Sequence, residues 1–153
     1  MADGKAADQP KTGQGSSVSI PQDMKAFNRA LIEEFRANRG TLSGPMAGRT
    51  VLLLTTTGAR SGQPRTAVLG FGRHDERYVV IASNNGASTH PAWYRNLLAK
   101  PTATVEVGAE RFEVEATTAG PEEKGRVARA VPWFEAQQKL TEREIPLVVL
   151  RRK

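Results

Sequence analysis

The chain has 153 residues, 39% of them hydrophobic and 25% charged, with a formal net charge of +6, a composition that fits one soluble domain with a real core and points to an acidic partner. It contains no cysteine and only two histidines, His74 and His90, which excludes disulfide frameworks, thiolate metal sites and cysteine nucleophiles and argues against a histidine-rich metal site. No run approaches the ~20 apolar residues of a membrane span and no apolar leader opens the chain, so a cytoplasmic protein is expected; aromatics are 6% and no basic run is interleaved with them, so nucleic acid is not favoured.

Residues 1–19 are small and polar, with Val18 the only large aliphatic besides Met1, and are expected to form a disordered tail ahead of a single domain spanning residues 20–153. Pro21 and Gly40 bracket a first helix over residues 21–38, with Met24, Phe27, Leu31 and Phe35 on one apolar face. That face is expected to lie over one opening of a sheet or barrel. A membrane-surface role ranks lower, because the polar face mixes both signs of charge.

After a connection at residues 42–49, a hairpin occupies residues 50–73. Val51-Leu52-Leu53-Leu54 reads as a strand buried on both faces, and Thr66-Ala67-Val68-Leu69-Gly70-Phe71 as its partner. The stretch between them, residues 55–65, holds two glycines, a proline, four hydroxyls and two arginines, and no acid occurs from Val51 to His74. Gly58 and Gly62 are expected to take positive φ and leave backbone N–H groups open, beside the forked donors of Arg60 and Arg65. Such a turn suits a phosphate or a carboxylate, although a surface hairpin with solubilising charges fits the same residues.

Asp75 and Glu76 make a turn, and Arg77 to Ser83 read as a third strand leading into the Asn84-Asn85-Gly86-Ala87 loop. Ser88 or Thr89 is expected to cap a short helix over residues 91–98, stopped by Pro101. Its Trp93 and Leu97 share a face, where core packing is the commoner role. Residues 102–107 and 111–116 form a hairpin whose second arm alternates and so keeps one face wet. A helix opens at Pro121-Glu122-Glu123, carries Val127, Val131 and Phe134, and breaks at Pro132. Residues 145–150 are the last strand. Six short strands joined mostly by tight turns make a small antiparallel barrel with peripheral helices, an α+β protein dominated by β structure.

The usual hydrolytic and nucleotide motifs are absent: there is no Gly-x-Ser-x-Gly, His-Glu-x-x-His, P-loop or Gly-x-Gly-x-x-Gly. His90, at a helix start, is expected to fix a loop rather than to move protons. What remains is an anion-cradling hairpin, an Asn/Gly loop and Trp93-Tyr94, a set suited to holding a large anionic cofactor that does the chemistry itself.

Four stretches in this order resemble the deazaflavin-dependent nitroreductase and quinone reductase family of actinobacteria. They are Thr-Thr-Thr-Gly-x-x-Ser-Gly-x-Pro-Arg at residues 55–65, Ala82-Ser83-x-x-Gly86-Ala87, His90-Pro91-x-Trp93-Tyr94-x-Asn96-Leu97, and Arg143-x-Ile145-Pro146 before a valine-rich strand. The resemblance runs from about residue 48 onward. It implies a split β-barrel related to flavin-mononucleotide-binding barrels and the use of coenzyme F-420, whose phosphodiester and glutamate tail would account for Arg60, Ser61 and Arg65 standing together. It further implies a coenzyme site lined by Ala59, Arg60, Ser61, Arg65, Thr66, Ala67, Val68, Leu69 and Gly70, by Ile81, Ala82, Ser83 and Asn84, and by Ala92, Trp93, Tyr94, Arg95 and Asn96.

The expected activity is hydride transfer from the reduced coenzyme to a quinone, an enone or lactone, or a nitro compound, with no metal and with Ser83 or solvent supplying a hydrogen bond or proton. A coenzyme carrier without turnover and a basic nucleic-acid-binding barrel are the alternatives. The protein is expected as a monomer or homodimer, with weak attachment to the inner membrane face left open. Two departures stand out. Asn84 replaces a basic residue common after the serine, and Val131 to Gln137 lack the tyrosines of relatives that activate nitroimidazoles.

Overall fold

A computed structural model describes residues 24–153; the expected tail at residues 1–19 lies outside them. The elements run α1 (Met24–Ala37), β1 (Val51–Thr57), β2 (Pro64–Gly70), β3 (Gly72–His74), β4 (Arg77–Ile81), α2 (Ala92–Ala99), β5 (Thr102–Val107), β6 (Glu110–Thr118), α3 (Pro121–Ala128), α4 (Phe134–Gln138) and β7 (Leu147–Arg152), with 3-10 turns at Gly44–Met46 and Asn84–Gly86.

The seven strands form one sheet in the order β2-β1-β5-β6-β7-β4-β3, and every pairing is antiparallel. Strands β2 and β3 stand at opposite edges of that order, yet only Phe71 separates them in the chain. Gly70 and Gly72 are thus within roughly 7 Å of each other, so the sheet curls until its two edges meet at Phe71. The result is the expected split β-barrel, mostly antiparallel β with peripheral helices.

Burial alternates along the strands as the pleat demands. Leu52, Leu54, Val80, Val105, Val114, Val148 and Leu150 point into one interior cluster. Leu53 and Val51 point the other way and pack with Leu31, Phe35 and Leu42. Val79, Leu147 and Val149 face outward onto Val127, Val131 and Phe134. Helix α1 therefore packs on the outer face of β1 and β2, not across an opening as its sequence suggested. Leu31 and Phe35 carry that contact, while Phe27 remains 38% exposed. The helix that reaches the interior is α2, through Trp93, Tyr94 and Leu97.

Several expected boundaries shift, each for a local reason. A seventh strand, β3, has no strand-like pattern and exists because Gly72, Arg73 and His74 pair with Val79, Tyr78 and Arg77. Strand β6 extends to Thr118 because Thr117 and Thr118 pair with Val149 and Val148. Residues 82 and 83 leave the ladder after β4, and Ile145 and Pro146 precede β7 instead of belonging to it. Pro91, in extended backbone with no side-chain cap, starts α2 in place of Ser88 or Thr89. The helix after Pro121 breaks at Pro132 as expected, into α3 and α4.

Candidate functional site

Three segments make the site: the β1–β2 hairpin, the loop from β4 to α2, and α2 between them. In the hairpin, Gly58 N–H donates to Gln63 O at 2.8 Å and Gly62 N–H to Gly58 O at 2.9 Å. Gln63 N–H donates to Ser61 Oγ at 3.1 Å, and Ala59 N–H to Asn96 Oδ1 at 2.9 Å. Gly62 has the expected positive φ of 71. Gly58 does not; a Cβ there would sit 2.6 Å from Ser61 Oγ, so close approach is what selects glycine.

Four of the turn's N–H groups are spent, those of Gly58, Gly62 and Gln63 within the turn and that of Ala59 on Asn96, while those of Arg60 and Ser61 stay open among the described residues. The side chains of Arg60 and Arg65 are exposed beside them. Among the described residues, neither is ion-paired with a carboxylate.

Along β2, successive residues face opposite sides. Ala67 and Leu69 are partly buried against the interior cluster, and Val68 packs toward α1. Thr66 Oγ1 lies 2.8 Å from Thr55 Oγ1, a hydroxyl pair across the hairpin. Gly70 is exposed, with Trp133 beside it: a Cβ on Gly70 would meet Trp133 Cζ2 at 3.9 Å.

The second segment leaves β4 at Ile81. Asn84, Asn85 and Gly86 follow with φ of 50, 55 and 81, a left-handed run that asparagine and glycine tolerate best. Asn84 Nδ2 donates to Thr89 O at 3.0 Å, so that side chain holds the loop. Ser83 is half-buried. Its carbonyl, like those of Ala82 and Ala87, accepts from Arg143: Nη2 to Ser83 O at 2.7 Å, Nη1 to Ala82 O at 3.2 Å and Nε to Ala87 O at 3.1 Å.

Arg143 Nη1 also lies 2.7 Å from His90 Nδ1. Because a guanidinium only donates, Nδ1 must accept and the ring proton sits on Nε2. Burial, together with the charges of Arg143 and Arg95, holds the His90 pKa below the ordinary imidazole value. This agrees with the loop-fixing role expected for His90.

In α2, Trp93, Tyr94 and Asn96 are buried, while Ala92 and Arg95 are exposed. Tyr94 Oη pairs with Thr118 Oγ1 at 2.7 Å, and Arg95 Nη1 donates to His90 O at 2.7 Å. The Asn96 amide accepts from Ala59 and donates to Thr56 Oγ1 at 3.1 Å, so one side chain joins α2 to the hairpin. The residues expected at the site thus fall into one connected unit, with the hairpin and the 82–90 loop both fastened to α2. Sequence reasoning missed Thr56 and Arg143 as parts of it. The Arg143-x-Ile145-Pro146 motif held the signal for Arg143, but nothing in its spacing shows which loop it grips.

A polar cavity of about 400 Å³ lies elsewhere, lined by Phe35, Arg36, Arg39, Glu106 and the 108–111 turn. Glu106 faces Leu53 near the start of β1, the far end from the hairpin tip. Its carboxylate is taken by Arg36, at 2.9 and 2.8 Å.

A split barrel with a basic hairpin beside a half-buried apolar strand is a scaffold suited to a large anionic ligand, which the fold alone does not tie to one activity. Comparison with known proteins narrows it. The pattern of the family described as F420H(2)-dependent quinone reductase matches residues 27–152. An F420H(2)-dependent quinone reductase of Mycobacterium tuberculosis is 36% identical over 127 residues, covering 78% of this chain and 85% of that protein.

Among solved structures, an F420-H2 dependent reductase superposes with a TM-score of 0.60 at 32% identity, over 67% of this chain and 95% of that one. A structure described as a domain-swapped dimer gives a TM-score of 0.62 at 29% identity, over 86% of this chain and 100% of that one. The chain belongs to the F420H(2)-dependent quinone reductase family, and it is an oxidoreductase that transfers hydride from F420H2. Among the described residues no helix is long and apolar enough to cross a membrane.

Proposed function

We propose that the acceptor is a quinone or a comparably flat, electron-poor enone or lactone, and that the hairpin and α2 hold the coenzyme. The observation that carries this reading is the pairing of two unlike surfaces. Arg60 and Arg65 stand exposed at one end of β2, and the apolar side chains of Ala67 and Leu69, half-buried, follow them along the strand. Forked cations suit the phosphodiester and glutamates of the coenzyme, and the apolar strand face suits its ring system.

The reduced coenzyme supplies the hydride. The protein's share is to anchor the anionic tail, to keep water from the ring and to offer one polar group near it, for which Ser83 is the candidate. Trp133 and Leu140 are 40% and 60% exposed. Trp133 stands beside Gly70 and Leu140 beside Gly86, which gives a flat apolar acceptor two surfaces next to both coenzyme-binding segments.

Neither tyrosine is available as a proton donor to an acceptor. Tyr78 is 5% exposed in the core, and the Tyr94 hydroxyl is engaged with Thr118. The proton that accompanies the hydride to a quinone oxygen therefore comes from Ser83 or from water. Stopped-flow absorbance tests the assignment directly. Reduced coenzyme should persist with the protein alone and be consumed when a quinone is added. Consumption without protein at the same rate, or none with any quinone, enone or lactone, overturns the reading.

A further inference from the structure

The loop from residue 82 to residue 90 takes a backbone that its sequence tolerates but that has no ladder or α-helix to hold it. Asn84, Asn85 and Gly86 are successively left-handed, with φ of 50, 55 and 81, a region asparagine and glycine can enter. Its apolar cover is Leu140, against which a Cβ on Gly86 would stand 2.6 Å from Leu140 Cβ. What fixes the loop is polar and comes from far along the chain. Arg143 contributes Nη1, Nη2 and Nε to the carbonyls of Ala82, Ser83 and Ala87. A fourth contact goes to the ring nitrogen of His90.

The arginine is itself pinned. Its carbonyl accepts from Gln138 Nε2 at 2.8 Å and its N–H donates to Thr141 Oγ1 at 3.1 Å. The other end of the Gln138 amide accepts from Ile145 N–H at 3.0 Å. The guanidinium is thus presented to the loop by backbone fixed on both sides.

We propose that Arg143 is the positioning residue of the reductase site: by occupying the carbonyls of Ala82, Ser83 and Ala87 it sets where the Ser83 hydroxyl stands. The inference rests on the reading of Ser83 and its neighbours as coenzyme-facing. Its chemistry follows from the inventory of the loop. The N–H groups of Ala82, Gly86 and Ala87 are spent within the fold, so with its carbonyl held by Arg143 the Ser83 hydroxyl is the donor the loop offers to the oxygens of a flavin-like ring. Lysine carries its three donors on one nitrogen and cannot span acceptors reached here from Nε, Nη1 and Nη2.

The brace has a built-in acid limit. The His90 contact exists only while Nδ1 carries no proton. Protonation turns the acceptor into a donor and sets a second cation against Arg143. The charged groups acting on His90 are Arg143, from the segment before β7, and Arg95, from α2; the Tyr94 ring meets it edge-on at 5.0 Å between centroids.

The test uses the full chain with Arg143→Gln and Arg143→Lys. In coenzyme-free protein, amide hydrogen exchange over residues 82–90 should accelerate by about tenfold or more in both variants while β5 and β6 keep their protection. Coenzyme affinity should fall by about tenfold, and single-turnover reduction of a quinone at saturating coenzyme should slow by about tenfold as well. In the wild type, the rate and the loop's protection should decline together on the acid side of neutrality. In Arg143→Gln that decline should disappear, because both the contact that protonation breaks and the cation it would oppose are already gone.

Unchanged exchange over residues 82–90 overturns the brace, whatever the coenzyme does. Accelerated exchange in every strand overturns it too, since the residue would then serve the fold and not the site. A loosened loop with unaltered affinity and rate overturns the positioning role. Failure of the wild type to bind the coenzyme defeats the reading of the site on which the inference rests, while the exchange experiment still decides whether Arg143 fixes the loop.

Discussion

Asn96 Oδ1 accepts a hydrogen bond from the backbone N–H of Ala59 at 2.9 Å, and through it a helix inside the barrel grips the tip of a hairpin 37 positions earlier. The same amide donates to Thr56 Oγ1, and Asn96 is only 6% exposed. Asn96→Ala would leave a buried hydroxyl and a backbone N–H without their partner, each costing about 1–3 kcal/mol. Stability in urea should fall by roughly 2–4 kcal/mol, and coenzyme affinity should fall with it as the hairpin loosens. Retained stability would mean that water replaces both bonds.

Arg65→Ala separates anchoring from chemistry. Losing a charge-assisted contact to an anion should weaken coenzyme binding by about ten- to a hundredfold. Turnover at saturating coenzyme should change much less, because that contact is the same in ground and transition states. Fluorescence titration and single-turnover kinetics read the two quantities separately. A variant that binds normally would remove Arg65 from the site.

Two glycines should respond in opposite directions to the same added methyl group. At Gly72 a Cβ would lie 1.7 Å from Ala130 O, so Gly72→Ala must displace backbone and should cost at least about 2–3 kcal/mol. At Gly125, within α3, nothing lies within 4 Å of an added Cβ. Gly125→Ala should therefore stabilise by about 0.5–1 kcal/mol through helix propensity. Urea midpoints of the two variants should straddle that of the wild type.

His90 makes stability depend on pH with a defined sign. Its folded pKa lies below the ordinary 6.5, so between the two values the unfolded chain binds more protons than the folded one. Stability consequently rises with pH through that window and is lost as pH falls through it. Above the unfolded value the contribution is fully present. Unfolding free energies measured from about pH 5 to about pH 8 should show this limb. They should lose it in His90→Gln, whose amide oxygen can still accept from Arg143.

The barrel and its helices were legible because burial imposes periods that survive in sequence. Leu52 and Leu54 turn inward while Leu53 turns outward, and a run apolar on both faces announces such a strand. The hairpin at residues 55–65 and the loop at residues 84–87 were legible from glycine, asparagine and proline. Three things were not legible. Strand β3 is made by its partner β4 and not by its own residues. The fate of the Ala59 N–H depended on Asn96, far along the chain. Arg143 stood out in its motif, but nothing in the sequence showed that it reaches the carbonyls of Ala82, Ser83 and Ala87. Long-range polar contacts leave no period, so local pattern could not reveal them.

Strand β7 lies between β6 and β4 in the sheet, although it is the last strand in the chain. During synthesis from the N-terminus, β1, β2, β5 and β6 can assemble as one ribbon and β3 with β4 as another, but the two have no common border until residues 147–152 arrive. Arg143 arrives just ahead of them. The ribosome therefore delivers the piece that unites the sheet and the piece that shapes the 82–90 loop at nearly the same moment. A nascent chain stopped before residue 143 would carry every residue expected to touch the coenzyme and still lack the side chain that grips the carbonyls of Ala82, Ser83 and Ala87.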